Sequence, residues 1–356
     1  MKDFIRFSLV LLLFNLSINN SIAQETNSSN QEEVLTSGKI KRTDTSYVIK
    51  YYDRIILKTN LSSETPNFIL SDNETGSELE IKPAAEYKQG FSFIYRWFTL
   101  ALSFTPRYLI NTDEIEELNN SKTFGLDLNV ILSDRWRQEL GYNYYEGFFN
   151  NGPLIDEGEF ANTTLHMFQG STVFTVNRNF SYRAHLDQTQ RQLKSAGSLI
   201  PRLTYDYSKS SFNFVDANLD TNVDKISGIN VYGQIGYLYT FVLNKKWFAT
   251  FGAHPGIGYN YSRSEYINLI EGSETSSKES FHNVSFALEA ETSLGYNSDR
   301  WFFGTAYNWR TYEYTNKEDD LFISNDNYFN VYVGYRLNGN PPMRKFFGWF
   351  EEKVGL

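Results

Sequence analysis

No cysteine occurs in the 356 residues, which excludes disulfides, thiol chemistry and a lipid joined to a cysteine behind a signal sequence. Beyond residue 16 no apolar run approaches the roughly 20 residues that a membrane helix needs, so a helical membrane protein is excluded. Basic runs are missing too, and the formal charge is −9, which argues against a nucleic-acid partner. Only four histidines exist: His166, His185, His254 and His282. None pairs at metal-ligand spacing, and no Gly-x-Ser-x-Gly element or phosphate loop is present. No cofactor and no metal is therefore expected.

The one apolar stretch, residues 8–16, follows Lys2 and Arg6 and precedes Ser21-Ile22-Ala23. This is the pattern of a secretory signal cut before Gln24, and it is too short to span a bilayer. Cleavage removes Lys2, Arg6 and Asp3, a net +1, and takes the charge from −9 to −10. The expected organisation is a signal over 1–23, a polar periplasmic linker over 24–52, a barrel over 53–337 and a helical tail over 338–356.

What the chain has in abundance is aromatic residues: 25 Tyr, 29 Phe and 6 Trp, against a mean hydropathy of only −0.45. They recur with period two. In 227–243, Ile229, Val231, Ile235, Tyr237, Tyr239, Phe241 and Leu243 share one parity, and Asn230, Tyr232, Gln234, Gly236 and Thr240 share the other. Successive strand residues point to opposite faces. An aromatic face backed by Gly, Ser, Thr, Asn and Gln suits a strand with lipid outside and a polar lumen inside. The pattern returns at 91–104, 122–132, 135–148, 163–176, 180–187, 198–208, 246–262, 281–296, 300–314 and 328–337, and more weakly at 54–61 and 67–71.

Short turns fall at 96–97, 133–134, 177–179, 244–245 and 297–299. Longer polar loops fall at 109–121, 149–160, 263–279 and 315–326. Outer-membrane barrels put short turns in the periplasm and long loops outside. That alternation fails between 176 and 244 unless 212–216 is a strand, which gives fourteen, or 171–187 is one long strand, which gives twelve. The expected fold is an all-β, closed antiparallel transmembrane β-barrel of about 14 strands, with 12 as the alternative, and a short C-terminal amphipathic helix. In that tail Met343, Phe346, Phe347, Phe350 and Val354 fall on one helical face. It reads as an interfacial helix on the inner leaflet, or else as a small plug.

Inward parity collects Asp127, Arg137, Glu139, Arg183, Asp187, Arg202, Asp206, Glu289, Glu291, Arg310 and Arg336 as lumen-lining residues. Mixed charges there either close the lumen as a polar network or line a channel. The weak catalytic candidates are His185, close in sequence to Asp187 and Ser195, and His282, close to Ser285. A lipid hydrolase on the barrel surface would need such a histidine within hydrogen-bond reach of a serine.

Three segments carry a resemblance: Gly90-Phe91-Ser92-Phe93-Ile94-Tyr95-Arg96-Trp97, Asn177-Arg178-Asn179-Phe180-Ser181-Tyr182-Arg183-Ala184, and Gln192-Leu193-Lys194-Ser195-Ala196-Gly197-Ser198. The chain resembles an uncharacterised family of bacterial outer-membrane barrel proteins, catalogued only as a domain of unknown function. The resemblance implies a barrel in the cell envelope and carries over no catalytic residue. The expectation is a non-enzymatic, porin-like outer-membrane barrel of a Gram-negative-type bacterium, structural or a narrow passive channel. The alternatives are a lipid hydrolase and a surface receptor or adhesion barrel. The expected partners are outer-membrane lipid, lipopolysaccharide and the barrel-assembly machinery.

Overall fold

The computed structural model describes residues 46–72, 77–110, 121–150, 162–212, 221–270, 273–315 and 321–354. Twelve antiparallel strands form a closed wall: β2 (Arg54–Asp72), β4 (Tyr87–Tyr95), β5 (Phe98–Phe104), β6 (Lys122–Ile131), β7 (Trp136–Glu146), β9 (Thr164–Phe174), β11 (Ala196–Ser211), β12 (Thr221–Leu243), β13 (Trp247–Ile270), β14 (Ser273–Asn297), β15 (Trp301–Thr315) and β16 (Leu321–Asn338). Each pairs with the next, and β16 returns to β2 from Arg54↔Asn338 to Leu70↔Phe322. Closure leaves this ring no free edge. β3 (Ser77–Pro83) and β8 (Phe148–Asn150) widen the sheet beside the far half of β2. Two elements lie off the wall: a two-stranded sheet of β1 (Val48–Lys50) and β10 (Gln190–Gln192), and the helix α1 (Tyr182–Leu186). A longer helix, α2 (Pro341–Val354), follows β16.

The alternation is realised as an inside-out burial pattern. On β12, Ile229, Ile235, Tyr237, Phe241 and Leu243 are exposed, whereas Tyr232, Gln234, Leu238 and Thr240 are buried. On β14, Val284, Phe286 and Leu288 are exposed, while Ser285, Glu289, Glu291 and Ser293 are buried. A water-soluble protein buries its large apolar side chains and exposes its charges. Here both preferences are reversed around the wall.

The strand number is twelve, the alternative expected above, but it is reached by a different route. Residues 180–187, expected as a strand, are not in the wall. Between β9 and β11 the chain turns inward, forms α1 and β10, and rejoins the wall at Ala196. The apparent alternation of Phe180, Tyr182, Ala184 and Leu186 with Ser181, Arg183, His185 and Asp187 belongs to a segment surrounded by protein. Phe180, Tyr182, Ala184, His185 and Asp187 are all buried, irrespective of parity. Of the proposed strand 212–216, Phe212 lies just past the end of β11 and the rest lies outside the described residues. The two weak segments 54–61 and 67–71 are one strand, the 19-residue β2.

Local chemistry fixes the turns. Asn244 and Lys245 both have positive φ, 52° and 57°, within the three-residue loop that joins the paired Leu243 and Trp247. At the other end the polar stretches 263–279 and 315–326, expected as loops, largely continue the ladder: β13 and β14 stay paired out to Ile270↔Ser273. Polar side chains on both faces hide period two without preventing pairing.

α2 begins with Asn340, whose Oδ1 accepts from the Met343 N–H at 3.0 Å, and with two prolines, which suit the first turn. It docks on the β4–β5 turn. Phe350 stacks on Trp97 with centroids 5.0 Å apart, and Phe347 meets Tyr95 edge-on at 4.9 Å. Arg96 joins three parts of the chain, pairing with Glu351 at 2.9 Å and with Asp53 at 3.0 Å. Phe346 and Trp349 remain exposed.

Candidate functional site: a charged lumen floored by a plug

The inward segment spans the barrel. Its apolar side, Phe180 and Tyr182, packs with Val173, Ala196, Ile200 and Leu238 on β9, β11 and β12. Its polar side reaches the opposite wall. The Leu186 carbonyl accepts from Lys58 Nζ on β2 at 3.4 Å, and Gln188 Nε2 donates to Tyr332 Oη on β16 at 3.3 Å. Because β2 and β11 lie on opposite sides of a twelve-stranded ring, a segment touching both must cross the lumen.

Several local devices hold it. Ser181 caps α1 by accepting from Ala184 N–H at 3.0 Å, and the Ser181 hydroxyl donates to Gln190 Oε1 at 2.7 Å. Gln188 adopts positive φ, 55°, and turns the chain from α1 toward β10. β1, from the segment expected as a linker, pairs Val48–Lys50 with Gln192–Gln190 and ties the plug to the N-terminal approach. Tyr51 is enclosed beside Asp299, and burial pushes its hydroxyl up to about 12.

Above this floor lies a polar cavity of 410 Å³. Of the expected lumen residues, Asp127, Arg137, Glu139, Asp187, Arg202, Asp206, Glu289, Glu291 and Arg310 line it. Arg183 and Arg336 do not. Arg183 sits on α1 and donates to the Arg96 carbonyl at 2.8 Å, away from the cavity. Arg336 is 1 % exposed beneath the plug, donates to the carbonyls of Gln188 and Ser298 and to Asn297 Oδ1, and lies 4.0 Å over the Tyr51 ring. Both arginines fasten the plug.

The lining is organised as ion-paired groups. Arg202 meets Glu289 at 2.5 Å, Glu291 at 3.4 Å and Gln234 Oε1 at 3.0 Å. Glu291 also faces His185 Nε2 at 3.1 Å and His254 Nε2 at 3.0 Å. Arg137 meets Glu139 at 2.6 Å and Asp187 at 3.3 Å. Lys88 meets Glu64 at 2.6 Å and donates to Tyr145 Oη at 2.9 Å. His254, Lys88, Glu64 and Lys58 are not among the residues singled out from the sequence. His254 carries a usable signal, since it shares inward parity with Thr250 on β13. Its place also depends on Gly236 across the pair, where a Cβ would collide with the imidazole. Pro255 follows it, and the β12–β13 ladder lacks pairs for His254 and Pro255, as a residue without an N–H allows.

The catalytic candidates separate clearly. His185 Nδ1 lies 2.8 Å from Ser293 Oγ and its other nitrogen faces Glu291, a hydroxyl–imidazole–carboxylate chain. Ser293 is 3 % exposed and does not line the cavity, and Glu291 is also held by Arg202 and His254. The chain of groups therefore anchors α1 to β14 and presents no hydroxyl to a substrate. Ser195 is exposed and accepts from the Val242 N–H, whereas the buried His185 ring is held by Ser293 and Glu291. His282 is exposed on the outer face beside Tyr259 and Tyr261, while Ser285 is buried on the inner face of the same strand. The two cannot meet. Among the described residues no group of three or more ligating side chains could hold a metal ion.

A family model described as Domain of unknown function (DUF4421) matches residues 42–337. The chain belongs to this family. The match covers every wall strand except Asn338, the last residue of β16, and the plug from β1 to β10. No curated protein sequence matches. Among solved structures, the translocator domain of autotransporter NalP from Neisseria meningitidis is 12 % identical, covering 90 % of this chain and 97 % of that one, with a TM-score of 0.37. The COG4313 outer membrane channel from Pseudomonas putida F1 is 10 % identical, over 84 % and 100 %, at 0.37. Outer membrane protease OmpT from Escherichia coli is 8 % identical, over 81 % and 98 %, at 0.34. Likenesses at this level say nothing of function, which has to come from the geometry of the lumen itself.

Proposed function

We propose that this DUF4421 protein is an integral outer-membrane barrel whose lumen is a narrow conduit, shut at the short-turn end by the segment 175–195. The observation that carries the reading is the inverted burial: a belt of exposed Leu, Ile, Val, Phe and Tyr around a wall whose interior is charged. Water would penalise that belt, whereas lipid accepts it. Spanning needs about 9–11 residues per strand, which every wall strand supplies or nearly supplies, and the 23 to 25 residues of β12–β14 carry those hairpins beyond the bilayer. The short turns, both chain ends of the barrel and α2 would then face the periplasm, with Phe346 and Trp349 in the inner-leaflet interface. Outer-membrane lipid and lipopolysaccharide would cover the outer wall, and the barrel-assembly machinery would insert it.

The conduit reading is tested by planar-bilayer conductance. Wild type is expected to conduct rarely. A variant with residues 179–193 replaced by a short Gly-Ser connection is expected to conduct steadily. A folded, heat-modifiable variant that stays silent would overturn the conduit, and recovery of wild type as a water-soluble periplasmic protein would overturn the membrane placement.

A further inference from the structure

The ion pairs above leave three charged groups of the cavity without an ion-pair partner among the described residues, and two of the three are carboxylates. Seven carboxylates and five Lys or Arg side chains line it. Four of the cations, Lys88, Arg137, Arg202 and Arg310, already face carboxylates. Two carboxylates have no ion-pair partner among the described residues. Asp127 has neither ion pair nor hydrogen bond there, and Asp206 accepts only from Asn230 Nδ2, at 2.8 Å. A buried or half-buried carboxylate left this way is costly unless something donates to it. Lys58, the remaining cation, is drawn to the floor by the Leu186 carbonyl and the Tyr332 ring, 5.0 Å from its Nζ. A further acceptor is unanswered: Asn330 Oδ1 has no hydrogen-bond partner, and its side chain lines the cavity at only 5 % exposure.

The two carboxylates also stand in a defined relation. Asp127 pairs with Gly141, Gly141 with Gln169 and Gln169 with Asp206, so all four share one register row across β6, β7, β9 and β11. Three strand spacings are about 14 Å along the wall. The carboxylates are closer than that, because both point inward on a curved surface. Between them Gly141 carries no side chain, and the space over it is taken by Asp127 Oδ1 and the Gln169 amide, 2.9 Å and 3.1 Å from where a Cβ would stand.

We infer that the lumen cavity binds a linear organic polycation, with one ammonium taken by Asp127 and a second by Asp206. Ammonium groups are donors only, which is the complement that a cavity with unanswered acceptors lacks. Flexible methylene links let the two ends settle over the Gln169 side chain that lies between the carboxylates. A compact metal dication cannot reach both carboxylates at once, and an anion meets an excess of negative charge. Lys58 opposes the ligand as a fixed cation in the same space. The inference rests on the lumen described above, and it depends neither on the membrane in which the barrel sits nor on whether the plug opens.

The test is isothermal titration calorimetry on the full mature chain, folded in detergent and checked by heat-modifiable mobility. Spermidine, putrescine, n-butylamine, magnesium chloride and sodium citrate are compared at constant ionic strength. Spermidine is expected to bind more tightly than putrescine, and putrescine more tightly than butylamine, with no binding of citrate. Asp127→Asn and Asp206→Asn should each weaken spermidine about tenfold, the loss of one charge-assisted hydrogen bond. Lys58→Met should tighten it. Absence of spermidine binding to folded wild type overturns the proposal, as does magnesium binding as tightly as spermidine, citrate binding, or indifference of spermidine to both Asp variants. The ranking of the five probes on wild type stands as a test even where a variant fails to fold. Because binding is read without a bilayer, a failed titration sinks the polycation site alone, and a silent bilayer sinks the conduit alone.

Discussion

The wall and the plug are built from similar residues and obey different rules. In the wall, each side chain has one of two destinations, the outer face or the lumen, and the backbone alternates between them. Ile235 is 65 % exposed and its neighbour Gln234 is 2 % exposed. In the plug there is no such choice of face. Ser181, Tyr182, Ala184, His185, Asp187 and Gln188 are all buried, and Ser181, His185, Asp187 and Gln188 each meet a specific partner. The wall is thus specified by periodicity and the plug by individual hydrogen bonds. A wall tolerates many sequences of the right pattern, while a plug depends on particular side chains.

The sharpest way to break the comparison is at the groups shared by both regions. Removing Arg202 takes the nearest cation from Glu289, which keeps only Arg310 at 3.5 Å, and the guanidinium from Glu291, which keeps His185 and His254. Arg202→Ala is expected to cost about 3–5 kcal/mol, the usual result of leaving one half of a buried ion pair. Urea unfolding in detergent, followed by tryptophan fluorescence, measures it. Next comes the wall alone. Ile235→Arg, on the outer face, should cost about 2–4 kcal/mol. Asn308→Arg, toward the cavity, should cost clearly less by the same assay, and equal losses would show that the faces are misassigned.

The plug alone is probed by Ser181→Ala. Loss of an N-cap is worth about 1 kcal/mol. Here it should appear as faster amide exchange within residues 182–192, with the amides of β12–β14 unchanged. Exchange that rises equally everywhere would mean that plug and wall unfold as one unit. The smallest effect is expected from deleting residues 341–356. Among the described residues α2 reaches the barrel around the β4–β5 turn and at Tyr52, so the truncated chain should keep its heat-modifiable mobility and its midpoint in urea.

How far the structure can be seen in the sequence follows the same division. The wall strands from β4 to β16 are legible because an apolar outer face and a polar inner face impose period two. Parity alone turns Asp127, Glu139, Arg202, Glu289, Glu291 and Arg310 inward. The plug escapes because five helical residues are too few to display a helical period, and its apolar and polar residues happen to alternate as a strand would. β1 is three residues long, and nothing in Val48–Lys50 distinguishes it from a linker. Lys88 and Glu64 escape for another reason: they lie where β2 and β4 turn polar, beyond the reach of the aromatic signal. Two of the three segments carrying the family resemblance, 177–184 and 192–198, enter and leave the plug.

The seam between β2 and β16 sets the order of events in making the molecule. Seventeen paired positions join the first wall strand to the last, and they are separated by almost the whole chain. Contacts so distant in sequence form late, since the loop they close is the longest available. Until β16 arrives, β2 offers an unpaired edge, and so does every intermediate sheet. A nascent chain is therefore a sticky ribbon for the entire time that it lacks the 18 residues of β16. β1 sits immediately before β2 and holds the plug through β10, so the strand that waits longest for its partner is also the one that carries the plug's tether. Closing the seam and seating the plug become a single act, and a chain stopped short of Leu321 should have neither.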